Sequence, residues 1–195
     1  DNKIDFIFSA TKHPFLKTFP QFKRSFRWLP WSINPTVMKD WGLEKDIDML
    51  LMGLVYVDPY NFGNHHYPKK IPPKGRYAFR DAVFEKLKDK SGFIYHPHPG
   101  SRLSNSDHLI VNERYAKELN RAKIFYTCGS RHETGGIAVL KFFEAPACNT
   151  LLLAEPNEDI HELGFIEGKN YVACHIHNVV EKTTYYLQND RETER

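Results

Sequence analysis

Cysteine is scarce in this sequence. Cys128, Cys148 and Cys174 are the only three. They are widely spaced and odd in number, which excludes a disulfide framework and every common zinc-ligand spacing. Each is flanked by apolar residues, so the expectation is buried free thiols in a reducing compartment, the cytoplasm. Long apolar runs are also missing. IDMLLMGLVYV contains a charge and a Gly and falls short of a membrane span. No secretory leader pattern opens the chain. A dominant charge sign is absent too. The net charge is +3, too little to argue for nucleic acid without a concentrated basic face, and the KKIPPK run reads as a solvated loop. There is no P-loop, no Ser-His-Asp arrangement, no internal repeat and no low-complexity tract. The adjacent Glu158 and Asp159 read as first-turn helix charges, so no acid–base pair points to a phosphatase or an epimerase. An initial Met is lacking, and residues 1–10 already resemble a strand, so the expectation is a piece of a longer protein.

What is present is an ordinary globular composition, 41% hydrophobic and 26% charged over 195 residues. That is enough for one core or a domain and a half. Residues 3–10 read as a buried strand. Residues 11–35 hold several prolines and many aromatics without a period of 2 or 3.6, and read as a packed linker. IDMLLMGLVYV, GFIYHPHPG, DHLIV, KIFYTC, TLLLAE and NYVACH read as strands, several with nearly continuous apolar character, as in a parallel sheet covered on both faces. Helices are expected at RYAFRDAVFEKLKDK, NERYAKELNRAK, EDIHELG and NVVEKTTYYLQND. The alternation implies an α/β fold, a doubly wound parallel sheet of Rossmann type, with its ligand at the carboxyl ends of the strands. Gly53, His96–Arg102, Val111–Asn112 and Ser130–Gly136 fall at that edge.

Residues 123–155 form the centre of this reading. A strand, a Gly-rich loop, a helix from about Gly136 to Cys148 and a tight turn lead into the next strand. The helix is apolar nearly all round, which marks a buried helix. Only Lys141 and Glu144 interrupt it, three apart and therefore on one face. Charges so placed require a partner or a polar ligand. The loop before the helix offers backbone N–H groups from Gly135 and Gly136, with Arg131 and His132 adding charge, as in a phosphate cradle. Arg131 is the better phosphate candidate because guanidinium can fork onto two oxygens. Lys141 either reaches a diphosphate or neutralises Glu144. Arg76 and Arg80 stand one turn apart where the helix dipole disfavours cations. An anion between them would remove the conflict, and of the two Arg80 reads more readily as solvated. His96 and His98 share a side of a strand end and fit donor contact, a metal pair or packing. Gly53 suits close approach of backbone to a ligand. Asn149 suits a left-handed helix cap.

The stretch LKFFEAPACNTLLLAE resembles the donor-binding segment of two-domain (GT-B) glycosyltransferases, whose usual form is close to LLEAMACGTPVVA. LGFIEGKNYVA resembles the CgeB-like, spore-maturation branch. FRWLPWSINP, LEKDIDMLLMG and YHPHPG fit that branch in order. The resemblance implies the C-terminal half of a GT-B fold. Residues 1–35 would be the end of the N-terminal domain and the interdomain linker, and residues 36–195 the nucleotide-sugar-binding domain.

It also implies Glu144 on the ribose hydroxyls, with Gly53, Arg76, Arg131, His132, Gly135, Gly136, Lys141 and Thr150 around the diphosphate. Val111 and Asn112 would lie near the base, with His98 and Arg102 at the cleft. Many members carry a second Glu where this chain has Gly136. No cofactor is implied beyond the nucleotide sugar as co-substrate, and no metal. The implied partners are that donor, an acceptor that is a glycan, a protein or a small molecule, and the N-terminal domain. This half alone is expected to bind nucleotide weakly without turnover. The other open reading is a non-catalytic nucleotide-binding or scaffolding module.

Overall fold

The computed structural model describes residues 4–57, 77–97, 110–129, 131–132, 135–189 and 192. The central sheet is built by β3 (Ile47–Gly53), β4 (Phe93–Pro97), β5 (Ala122–Thr127), β8 (Leu151–Ala154) and β9 (Val172–Ala173). All neighbours run parallel, in the order β4-β3-β5-β8-β9. Register is tight at the centre, with Leu50 opposite Phe125 and Phe125 opposite Leu152.

The unbroken apolar strands have a direct explanation: both sheet faces are covered. Leu50, Met52, Phe125, Leu152 and Ala154 point to one face. They pack there against α3 (Asn112–Arg121), α4 (Lys141–Ala147) and α5 (Glu158–Glu162) through Leu119, Phe142, Ala145 and Ile160. Met49, Leu51, Ile124, Tyr126 and Leu153 point to the other face. There they meet Phe79, Val83 and Leu87 of α2 (Ala78–Leu87) and Val179 of α6 (Val179–Gln188). The doubly wound parallel sheet expected from the alternation is therefore present. Most of the expected DHLIV strand, residues 107–109, lies outside the described residues, and Val111 is the extended N-cap of α3.

The strand expected over residues 3–10 is present as β1 (Ile7–Ser9), shorter than expected and half-exposed rather than buried. Residues 11–35 depart from their reading as an irregular linker and form α1 (His13–Thr18), a 3-10 turn (Pro20–Phe22) and β2 (Phe26–Trp28). β1 and β2 pair in parallel, Ile7 opposite Phe26. Elements of three to six residues are too short to print a period, and that hid α1 and β2. Pro14 and Pro20 open their helical turns, where a missing N–H costs nothing.

Asp159 ties this unit to the sheet domain. It is fully buried, and its carboxylate accepts from the backbone N–H groups of His13 at 2.9 Å and Lys12 at 3.2 Å. It stands, as expected, in the first turn of its own helix, and from there it also caps α1. Lys12 and His13 also pair with Glu162, and Lys17 with Glu158, but exposed pairs contribute little. Asp159→Ala strips two part-buried amides of their acceptor and is expected to cost about 1–3 kcal/mol. In hydrogen exchange, the Leu16 and Phe19 amides, bonded within α1 to Lys12 and Phe15, should exchange faster while those of β5 stay protected. Equal protection in α1 would show that the cap does not hold it.

Candidate functional site

In a parallel sheet with helical crossovers, the first turns of the helices meet the carboxyl ends of the strands. β3 ends at Gly53, and β5 ends one residue before Cys128. Around these ends gather Arg80 from α2, Tyr115 from α3, and Lys141 and Glu144 from α4. Glu144 is buried. The Tyr115 hydroxyl donates to Glu144 Oε2 at 2.7 Å, and Lys141 Nζ donates to the same hydroxyl at 3.1 Å. The Lys141 ammonium also lies 4.9 Å from the Tyr115 ring centre. The Gly53 backbone, at φ 136°, leaves room that a β-carbon would fill, 3.3 Å from Arg80 Nη1 and 3.5 Å from Lys141 Cε. Gly53 therefore makes space for two cationic side chains, where the sequence suggested direct backbone approach to a ligand.

Arg80 corrects the reading that made it solvated. It is 5% exposed. Its Nη2 donates to the Cys128 carbonyl at 3.1 Å, and its guanidinium lies 4.4 Å from the Tyr77 ring centre. Its Nε is buried without a hydrogen-bond partner, and no carboxylate among the described residues pairs with it. Two cations thus share a rim where Glu144 is the nearby carboxylate, and that carboxylate is engaged by Tyr115. Burial pushes the Lys141 ammonium down to about 8; Glu144 opposes the shift and Arg80 adds to it. Burial, then Glu144, holds the Tyr115 hydroxyl well above its ordinary range. Chemically, this is a site short of negative charge, with a carboxylate acceptor near a buried guanidinium that has one unsatisfied donor.

The other expected residues divide. The helix placed at Gly136 begins at Lys141, so the Gly-rich loop does not lead straight into a helix N-terminus. Its ends pair instead as an antiparallel ladder, β6 (Arg131–His132) with β7 (Gly135–Gly136). Gly129 sits where the chain crosses itself, and a β-carbon there would lie 2.4 Å from the Ile137 carbonyl oxygen. That crossing takes up the residues expected to form the first helical turn. Val111 and Asn112 open α3 at the same edge as Tyr115, Asn112 with φ 52°. Arg76, His98 and Arg102 lie outside the described residues.

Thr150 is the clear misplacement. It immediately precedes β8, at the opposite, amino edge of the sheet. Its hydroxyl is committed to the carbonyls of Leu119 at 2.5 Å and Cys148 at 3.3 Å, so it is not a phosphate contact. The turn before it does keep the expected left-handed cap, Asn149 at φ 55°, with the Thr150 amide reaching back to the Ala145 carbonyl. His96 is engaged by Glu118 at 2.7 Å. Among the described residues no group of three His, Cys, Asp or Glu is placed to hold a metal ion, and no helix is long and apolar enough to cross a membrane.

Sequence reasoning missed Tyr115 and undervalued Arg80. On the inner face of its helix Tyr115 looks like a packing residue, although a buried phenol requires a partner. The signal for Arg80 was there, a cation at a helix start in conflict with the dipole.

Residues 80–195 match the family model described as glycosyl transferase-like. No curated protein matches the chain. Among solved structures, the chain is similar to sucrose-phosphate synthase from Thermosynechococcus elongatus, at TM-score 0.58 and 11% identity, covering 97% of this chain and 51% of that one. It is also similar to Anabaena HepE in complex with UDP and glucose, at TM-score 0.60 and 8% identity, covering 97% and 55%. HepE in complex with UDP-glucose gives TM-score 0.57 and 9% identity, covering 97% and 56%. These likenesses establish the fold as a GT-B type Rossmann-like half. The chain spans about half the length of the solved structures it matches.

Proposed function

Because this chain belongs to the glycosyl transferase-like family, we propose that it is the C-terminal, donor-binding half of a GT-B glycosyltransferase of the CgeB-like branch, taking a nucleotide-activated sugar. The observation that carries this reading is the rim cluster: buried Arg80 with an unpartnered Nε, Lys141 beside it at Gly53, and Glu144 one hydroxyl away. A diphosphate supplies the missing negative charge. A ribose supplies vicinal hydroxyls to Glu144, whose Oε1 takes no hydrogen bond from the described residues.

The division of labour follows. Arg80 and Lys141 hold the diphosphate, aided by the Gly-rich ladder of Arg131, His132, Gly135 and Gly136. Val111 and Asn112 flank the base. Arg76, His98 and Arg102 are further donor contacts in this reading. Transfer requires stabilisation of the departing nucleoside diphosphate, and two fixed cations supply it without a divalent metal. Residues 1–35 close the N-terminal domain and link it to residues 36–195. The acceptor, a glycan, a protein or a small molecule, binds mainly to that other domain, which also supplies any catalytic base. Three buried free thiols suit the cytoplasm.

Solved structures of similar fold carry UDP, which makes UDP the first ligand to titrate, beside GDP and ADP, with and without EDTA. One nucleotide is expected to bind, unaffected by EDTA, and Glu144→Ala to weaken it about tenfold or more through loss of charge-assisted hydrogen bonds. The chain alone is expected not to transfer sugar. If no nucleotide binds and Glu144→Ala alters only stability, the scaffolding-module reading takes its place.

A further inference from the structure

Lys141 and Glu144 lie one turn apart on α4, close enough for a direct ion pair at i, i+3. They do not make one. Among the described residues neither has any salt bridge. The Tyr115 hydroxyl stands between them, donating to Glu144 Oε2 at 2.7 Å and accepting from Lys141 Nζ at 3.1 Å. We infer that Tyr115 is a positioning residue that keeps these two charges from neutralising each other, so that the ammonium stays available to a diphosphate and the carboxylate to a ribose. This rests on the donor-site reading above.

The geometry explains why a hydroxyl is needed. A phenol can donate and accept at once, so it links a cation and an anion while holding them a full hydrogen-bonded atom apart. α3 brings it from another element, with Ala116 and Leu119 anchoring the helix in the core. The Lys141 ammonium also rests near the Tyr115 ring, which fixes its direction independently of Glu144. Without the hydroxyl, Glu144 Oε2 and Lys141 Nζ each lose their one protein partner among the described residues. In a site this buried they then turn to one another.

The test uses calorimetric titration of the 195-residue chain with UDP and with inorganic pyrophosphate, from pH 7.5 to 9.5. Tyr115→Phe is expected to weaken UDP about tenfold. It should also move the pH midpoint of binding upward, because a direct Glu144 partner favours the charged ammonium. Adding Glu144→Gln to Tyr115→Phe frees the ammonium again and should restore pyrophosphate affinity, which a merely structural tyrosine would not do. Equal UDP affinity and an equal midpoint in wild type and Tyr115→Phe overturn the inference alone. Absence of binding by UDP, GDP and ADP alike to the wild-type chain overturns the donor-site reading and the inference with it; if GDP or ADP binds instead, the same variants are titrated with that nucleotide. Should Tyr115→Phe fail to fold, Lys141→Gln decides. A tenfold loss of pyrophosphate affinity supports a free ammonium, and no loss shows one spent on Glu144.

Discussion

Arg80→Met is expected to leave the ligand-free chain as stable as the wild type, or more stable, while weakening UDP about a hundredfold. The two effects have one cause. Arg80 is buried with its Nε unpartnered and no carboxylate among the described residues opposite it. What it gains is one hydrogen bond to the Cys128 carbonyl and a face of Tyr77. A hydrogen bond of that kind contributes about 0.5–1.5 kcal/mol net, or about 1.5–3 from a charged donor. Against this stands a desolvation penalty of several kcal/mol for a buried ion, plus repulsion from Lys141, whose ammonium Arg80 pushes down. Met keeps most of the volume and removes the charge. A diphosphate reverses the balance, because guanidinium can fork onto two phosphate oxygens, each bond worth about 1.5–3 kcal/mol. Denaturant unfolding and UDP calorimetry on the same variant check both halves. Marked destabilisation with unchanged UDP affinity would make Arg80 a structural residue and leave the rim without its principal anion contact.

The fold was legible because its main determinant is one-dimensional. Strands buried on both faces print apolar runs, and those of β3, β5 and β8 can be read directly. In helices α2 and α3 the helical spacing of Phe79, Val83, Leu87 and Leu119 marks the inner faces, and all four are buried. Two things stayed hidden for physical reasons. α1 and β2 are stabilised by β1 and by Asp159, a residue about 150 positions away, and no local pattern announces such partners. The start of α4 was misplaced because Ile137, Val139 and Leu140 continue its apolar character. What decides their conformation is the close crossing of Gly129 and Ile137, again a contact between distant atoms.

The site was legible in kind and not in membership. Two charges on a greasy helix marked Lys141 and Glu144, and both lie at the carboxyl edge. Arg80 and Tyr115 come from α2 and α3, and only the stacking of three helix starts at one rim brings them together. Thr150 shows the converse. Its neighbourhood to Glu144 in sequence suggested a shared site, yet α4 runs the full depth of the sheet and delivers Thr150 to the far edge.

UDP affinity is expected to be flat near pH 7.5 and to fall about tenfold per pH unit above pH 8, until the ammonium of the complex itself loses its proton. Lys141 sets that window. In the free chain, burial and Arg80 hold its ammonium down to about 8, below the ordinary 10.5. A diphosphate beside it favours the charged form, so the complex keeps its proton to higher pH than the free chain does. Between those two values binding takes up one proton, which calorimetry in buffers of different ionisation enthalpy detects directly. The phosphate's own second ionisation, with a pKa of about 6, lies below the window and does not contribute. Stability of the ligand-free chain should move the opposite way. Between about 8 and 10.5 the unfolded chain holds the proton that the folded chain has released, so folding becomes more favourable as pH rises. Lys141→Met should flatten both profiles. Affinity that stays level to pH 9.5 in the wild type, with no proton uptake, would mean that the diphosphate does not meet Lys141, leaving Arg80 as the remaining described cation at the rim.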